Sequence, residues 1–394
     1  MARLLQTLVL ASALLLIVGC ANTYDRNPVP KEHVEKTQVL DIPNARFWAD
    51  ERSYYMDQAL NQPGPTLRQQ LPSISNKEHN YLAISGGGDK GAFGAGLLCG
   101  WTAAGTRPEF EIVTGISTGG LTAPFAFLGP KYDYVLKEVY TTTTTKDLAE
   151  QHSLTVIFTG DSVVDTTGLK NLIEKHVNEE FVNEIAAEYR KGRRLWIGTT
   201  NLDIMRPVMW NIGAIANTND PRRIDLIRQI LRASAAIPVA FPPEYIEVEI
   251  GDEIYDEMHV DGGATTQVIL YPESLAWADV LAKLQVPGSP NAYVILNAFV
   301  DPVYEPVDPA IMDIAGKTVA SLIRTQGLGD LDRIYAASVR DGLEFKLAFP
   351  PGDLPRQGEE AFDPEYMQIL FDRGFDMALS GYPWDKTPPH FDTD

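Results

Sequence analysis

The sequence predicts an α/β protein: a central, mostly parallel sheet held between two layers of helices. Three observations carry that expectation. Short apolar runs bounded by glycines read as buried strands, stretches with helical spacing alternate with them, and two of the strands break straight into glycine-rich turns that open helices.

Tyr81-Leu82-Ala83-Ile84-Ser85 is a buried-strand run ending in glycines, and Ala92-Phe93-Gly94-Ala95-Gly96-Leu97-Leu98 is a helix of small residues suited to close packing. Glu111-Ile112-Val113-Thr114 is a second strand, stopped by Gly115, and a helix follows over 118–127. Leu169, Leu172, Ile173 and Val177 share one helical face, as do Ile185, Ala186 and Tyr189. Leu195-Trp196-Ile197-Gly198-Thr199-Thr200 is a third strand, and Ile224, Ile227, Ile230 and Leu231 line another helix. Residues 246–250 and 254–260 read as a hairpin turning at Gly251-Asp252, and 293–299 as a later strand. Upstream, Pro28, Pro30, Pro43, Pro63, Pro65 and Pro72 interrupt any long helix. The expected organisation is therefore a leader over 1–19, an extension over 20–75, a catalytic domain over 76–345, and loops with one helix wrapping that domain over 346–394. Within the extension, 22–45 reads as a tether and a short helix is expected near 45–60.

Composition narrows the function. With 44% hydrophobic and 22% charged residues the 394-residue chain is too apolar to be disordered. Lys and Arg number 33 against 53 Asp and Glu, a formal net charge of −20, which excludes the basic footprint of a nucleic-acid binder. Two cysteines exclude a disulfide scaffold and a Cys-rich metal site, and the six histidines form no HExxH pattern. No metal or organic cofactor is expected.

The start of the chain reads as an address. Arg3 precedes a 16-residue uncharged run over 4–19, shorter than the ~20 apolar residues a spanning helix needs but of the size of a secretory core segment. It ends in Ile17-Val18-Gly19-Cys20, which resembles the lipobox of bacterial lipoproteins, where the cysteine is acylated and becomes the first residue. The resemblance implies a lipid anchor on Cys20. Ala21 and Asn22 follow, not the aspartate that resembles an inner-membrane retention signal, so the outer membrane is expected.

Three constellations carry chemistry. Gly115-Ile116-Ser117-Thr118-Gly119 is a Gly-x-Ser-x-Gly turn after a strand. Such a turn exposes a serine hydroxyl, its glycines remove clashing Cβ atoms, and the next helix aims its N–H groups at the site. Gly86-Gly87-Gly88-Asp89-Lys90-Gly91 clusters backbone N–H groups able to hold a phosphate or a developing oxyanion, with Lys90 adding positive potential and Asp89 expected to face solvent. The same loop matches a dinucleotide fingerprint, with Glu109 or Glu111 as ribose partner, and so supports a rival nucleotide-binding reading. His259-Val260-Asp261-Gly262-Gly263 puts a carboxylate where a strand runs out into two glycines. Ser117 needs a base. His259, His390, His79, His152 and His176 carry no motif, His259 being the best placed of them, so Asp261 acting directly on Ser117 is the stronger assignment.

Together these blocks resemble the patatin-like phospholipases: Gly86–Gly91 with Lys90, the turn around Ser117, and Asp261-Gly262-Gly263, in that order. Thr199-Thr200-Asn201-Leu202 and Arg232-Ala233-Ser234-Ala235-Ala236-Ile237-Pro238 before Phe241-Pro242-Pro243 extend the likeness over about residues 78 to 300. The resemblance implies a three-layer α/β/α patatin-like fold and a Ser117–Asp261 dyad without histidine. It implies an oxyanion hole from the Gly86, Gly87, Gly88, Lys90, Gly91 and Thr118 region, chiefly the N–H groups of Gly87, Gly88 and Thr118, and structural roles for Gly115, Gly119, Gly262 and Gly263. The implied substrate is a phospholipid, lysophospholipid or other acyl ester. The chain's negative charge leaves recognition to the acyl chains and an apolar mouth, not to anionic head groups. An envelope lipoprotein that binds on a decayed hydrolase scaffold is the non-enzymatic alternative, and the intact candidate residues argue against it.

Overall fold

The computed structural model describes residues 26–148, 150–151, 164–238, 240–302, 304, 306–389 and 391. The expected leader and Cys20 lie outside the described residues, as do His152 and His390.

Nine strands form one sheet: β1 (Arg46–Trp48), β2 (Asn80–Ile84), β3 (Ile112–Ile116), β4 (Arg194–Asn201), β5 (Arg206–Asn211), β6 (Glu244–Ile250), β7 (Glu253–Asp261), β8 (Asn291–Ile295) and β9 (Glu344–Ala348). The spatial order is β1-β5-β4-β3-β2-β8-β9, with β7 also pairing β4 and β6 pairing β7. β4, β3, β2, β8 and β9 run parallel, in register at Leu82 with Val113 and with Tyr293. β1, β5, β6 and β7 enter antiparallel ladders.

Five helices position the site: α1 (Gly91–Ala103), α2 (Thr118–Leu128), α3 (Arg223–Ser234), α4 (Ile311–Asp341) and α5 (Pro364–Leu379). The three-layer arrangement follows from strand alternation. Leu82, Ile84, Val113 and Leu195 point to one face and meet Phe93, Leu97, Ala126 and Phe371 from α1, α2 and α5. Tyr81, Ala83, Ile112 and Trp196 point to the other and meet Tyr271, Trp277, Leu331 and Ile334.

Three expectations are corrected. The tether over 22–45 is, from Arg26 on, bound to the domain: Arg26 pairs with Asp203 and Asp256, Gln38 bridges to Glu249, and Val39 and Ala45 are buried. The helix expected near 45–60 is a strand, β1, followed by a helix over Tyr54–Asn61, because residues 46–48 add to the free edge of β5. The boundary at 345 falls inside β9, which pairs with β8, so the domain runs on into the C-terminal region. There α5 packs on α1 at backbone contact: a Cβ on Gly96 would come within 2.0 Å of the Phe371 carbonyl, and one on Gly100 within 2.1 Å of that of Phe375.

Candidate active site

Parallel strands release their carboxyl ends on one edge of the sheet. β2 delivers Gly86 there and β3 delivers Ser117. Ser117 holds φ 56° and ψ −126°, a strained conformation for a residue with a side chain, at the mouth of α2. Close packing enforces it. A Cβ on Gly115 would lie 2.2 Å from the Gly119 carbonyl, and one on Gly119 would lie 2.2 Å from that of Ile84. Ser234, at the end of α3, locks the turn: its hydroxyl accepts from the Ser117 N–H at 3.0 Å and donates to the Gly198 carbonyl at 2.7 Å.

Asp261 arrives from the opposite direction. β7 runs antiparallel to β4 for only three pairs, Asn201 with His259, Thr200 with Val260 and Thr199 with Asp261, and then turns through Gly262 and Gly263. Gly262 sits where a Cβ would fall 2.7 Å from the Gly198 carbonyl. Gly263 donates its N–H to the Asp261 carboxylate at 2.7 Å. Burial pushes the Asp261 carboxyl up to about 6, while hydrogen bonds from the Ser117 side chain and the Gly263 N–H pull it down. Ser117 and Asp261 keep only 7% and 5% exposure. The structure therefore brings together a strained serine and a carboxylate with the affinity for a proton that a base near neutral pH needs.

His259 faces elsewhere. Its Nδ1 meets the Thr199 hydroxyl at 2.9 Å and its Nε2 meets Glu257 at 3.1 Å, in a buried chain that continues to Arg46 and Trp210. Burial lowers its pKa against the opposing pull of Glu257. His79 is buried between Tyr81 and the Ile74 carbonyl. His176 lies in a helix over Thr167–His176, stacked edge-on against Phe125.

The glycine loop splits into donors and spent groups. The N–H of Gly86 donates to the Gln267 carbonyl at 3.0 Å, that of Lys90 to Gly87 at 3.2 Å, and that of Gly91 to Asp89 and Gly88. Gly86, Lys90 and Gly91 thus offer no backbone donor, correcting their place in the expected hole. The N–H groups of Gly87, Gly88 and Thr118 are engaged by no backbone carbonyl among the described residues. Gly87 has φ 155°, and a Cβ there would strike the Asn297 carbonyl at 2.1 Å. Gly91 is a packing residue, where a Cβ would meet the Thr118 hydroxyl at 2.2 Å. Asp89 does not stand free in solvent: Lys90 pairs with it at 3.1 Å, which accounts for a negative charge beside this loop.

The nucleotide reading fails on geometry. Glu111 precedes β3, at the opposite edge of the sheet from the loop after β2, and is buried against Lys77 and the Asn80 N–H. Glu109 lies on that same far edge beside Lys77. Neither can reach a ribose whose phosphates sit on Gly86–Gly91.

Two residues that the sequence did not single out hold the loops in place. Gln267 accepts from Gly86, donates to the Gly263 carbonyl at 2.7 Å and to the Gln326 side chain at 3.1 Å. Asn297 binds both the hydroxyl and the carbonyl of Ser85 at 2.8 and 3.0 Å. Neither sits in a local motif; their only signal is a lone amide after a strand. A cavity of about 570 Å³ begins directly beyond the Asp261 loop, bordered by Ala264, Thr265, Ile269 and Gln326. Among the described residues no cluster of three or more His, Cys, Asp or Glu could hold a metal ion.

The family model described as patatin-like phospholipase matches residues 82–271. That stretch contains the glycine loop, Ser117 and Asp261. Among solved structures, VipD from Legionella pneumophila aligns over 78% of this chain and 67% of its own at 13% identity, with a TM-score of 0.40. No curated protein sequence matches the chain.

Proposed function

Residues 82–271 are a patatin-like phospholipase domain, a lipid hydrolase, and from that premise we propose that the chain cleaves acyl esters of phospholipids or lysophospholipids with Ser117 and Asp261. The observation that carries the reading is the strained Ser117 beside a buried Asp261 carboxylate whose pKa is about 6, with His79 and His259, among the described residues, hydrogen-bonded elsewhere. In the reaction, the Ser117 oxygen attacks the ester carbonyl while its proton passes to Asp261. The N–H groups of Gly87, Gly88 and Thr118 hold the resulting oxyanion, each such donor being worth roughly 3–4 kcal/mol of barrier. Asp261 returns the proton to the leaving alkoxide, which leaves an acyl-serine. Water, losing its proton to Asp261, then attacks the acyl carbon, and Ser117 recovers a proton as the fatty acid departs.

The second part of the proposal is the address. The charged start, the apolar run and Cys20 support a lipid anchor on the bacterial envelope, with the outer membrane favoured by Ala21 and Asn22. Anchoring concentrates an enzyme where its substrate lies.

A serine-directed fluorophosphonate tests the chemistry. Labelling of the wild-type chain that disappears in Ser117→Ala supports it, whereas an unlabelled, ester-inactive wild type favours a binding protein on a hydrolase scaffold. Mass spectrometry of the mature N-terminus tests the anchor: an unmodified Cys20 rejects it.

A further inference from the structure

Among the described residues, the buried side chains of the long helix α4 all lie in its second half. Its second half is part of the core: Leu331 and Ile334 are buried and Asp330 accepts from the N–H groups of Gln267 and Val268. It ends just before β9 begins, at the edge of the sheet opposite the active site. Gln326, in mid-helix, touches Gln267 at the catalytic edge, and Arg324 donates to the carbonyl of Val300, shortly beyond the carboxyl end of β8. The helix therefore crosses the domain from catalytic edge to far edge, and the turns before Gln326 extend ~22 Å past the site, at 1.5 Å per residue.

That projecting half is not dressed for water. Ile311, Ile314, Val319, Leu322 and Ile323 are exposed, Ile311 at 85% and Leu322 at 65%. Helical spacing gathers Ile311, Val319, Leu322 and Ile323 on one side and sets Asp313, Lys317 and Arg324 on the other. No described helix is long and apolar enough to cross a membrane, so the stripe suits a surface. The same edge carries the exposed Leu202 and Met205, at the turn after β4, and Ile237, in the segment after α3 whose Ala236 carbonyl accepts from the Asp261 N–H.

The described chain also begins at this edge. Arg26 is clamped by Asp203, two residues past the carboxyl end of β4. Cys20 lies six residues upstream, a reach of at most ~20 Å for an extended chain. An acyl group on Cys20 would hold the catalytic edge, not the opposite one, against the bilayer.

We propose that the amino-terminal half of α4 is a lipid-docking element that lays its apolar stripe into the surface of an uncharged or zwitterionic bilayer and sets the mouth of the Ser117 site on its substrate phase. The proposal rests on the hydrolase and anchor reading for its orientation, but docking can be measured without either. Basic residues do not dominate the element, so anionic lipid is not required.

The test uses the full chain and phosphatidylcholine vesicles. A bimane dye is placed at Leu322→Cys and, as a control, at Asp225→Cys. Asp225 is 83% exposed in the first turn of α3, which Arg223 ties to the Ala216 carbonyl at the far edge. Cys99 is buried and Cys20 is replaced by Ser in both labelled chains, so neither competes for the dye. Vesicles should shift the emission at 322 to the blue and shield it from iodide, with no change at 225. Leu322→Glu combined with Ile323→Glu should cut turnover of vesicle phospholipid at least about tenfold. Turnover of a dissolved short-acyl ester should stay within about twofold, because both side chains are in solvent. A dye at 322 that stays aqueous with vesicles overturns the proposal. So does one already shielded without vesicles in a chain that elutes as a dimer, which would assign the stripe to a second copy. A vesicle-dependent shift in a chain without esterase activity would sustain docking and reject the hydrolase reading.

Discussion

Ser117 and Asp261 lie side by side at the carboxyl edge of the sheet, but they reach it by different means. Ser117 stands on five consecutive residues: a strand, two glycines and a helix start force the turn, the clashes that forbid a Cβ at Gly115 and Gly119 lie on α2 and at Ile84 and Ser85, and Ser234 adds one hydrogen bond from outside. Asp261 depends on distance. β7 comes in from a hairpin that follows α3 and is held on β4 by three residue pairs before it breaks off. One group is set by backbone sterics and the other by pairing between remote segments. The Ser117 conformation should therefore tolerate changes in β7 far better than the placement of Asp261 tolerates changes around it.

The largest effects should come from the two groups themselves. Ser117→Ala and Asp261→Asn should each lower ester turnover about a thousandfold or more while leaving a folded chain, as steady-state kinetics and circular dichroism will show. Stability separates them. Asp261 has a folded pKa of about 6, raised above its ordinary 3.8, so the native state binds its proton more tightly than the unfolded chain. Its contribution is favourable below the unfolded value and is lost as pH rises through 6. Asp261→Asn should then raise unfolding free energy at pH 8, by up to about 3 kcal/mol, and flatten its slope between pH 4 and 6. Ser117→Ala should not flatten that slope. The same titration sets the wild-type pH profile: kcat/KM should fall about tenfold per unit below pH 6.

Next in size is the local scaffold. Gly119→Ala places a Cβ against the Ile84 carbonyl, which is backbone and cannot step aside. A loss of about 3 kcal/mol in chemical denaturation is expected, with activity falling alongside it. Ser234→Ala removes the acceptor of the Ser117 N–H and should cost about 1–3 kcal/mol, with a fall in kcat and little change in KM. The smallest effect on turnover belongs to His259→Gln. Its partners are Thr199 and Glu257, so esterase activity should stay within about threefold while stability drops by about 1–3 kcal/mol. Loss of activity on that substitution in a stably folded variant would reinstate a histidine base.

Much of the site was legible because its signals are short-range. Glycines at 115 and 119 mark a crowded turn in any context, and the Gly86–Gly91 loop announces exposed N–H groups between a strand and a helix. Which of those groups remain free was not legible. Gly86, Lys90 and Gly91 spend theirs on Gln267, Gly87 and Asp89, partners that only the folded loop defines. Gln267 and Asn297 escaped notice for the same reason, since a single amide has no pattern until two loops converge on it.

The fold divides along the same line. Buried parallel strands write themselves as apolar runs, so β2, β3 and β4 could be read from composition and spacing, and with them the layered architecture. Residues 26–48 are polar and broken by prolines, and nothing local says that β5 offers them an edge or that Asp203, Asp256 and Glu257 offer them partners. The chain alone settles what short-range sterics and hydrophobic periodicity control, which is the sheet, the strained serine and the glycine cradle. Folding settles what rests on long-range pairing and exclusion of water: which N–H groups stay unspent, which carboxylate gains a pKa near 6, and which half of α4 is left outside the core.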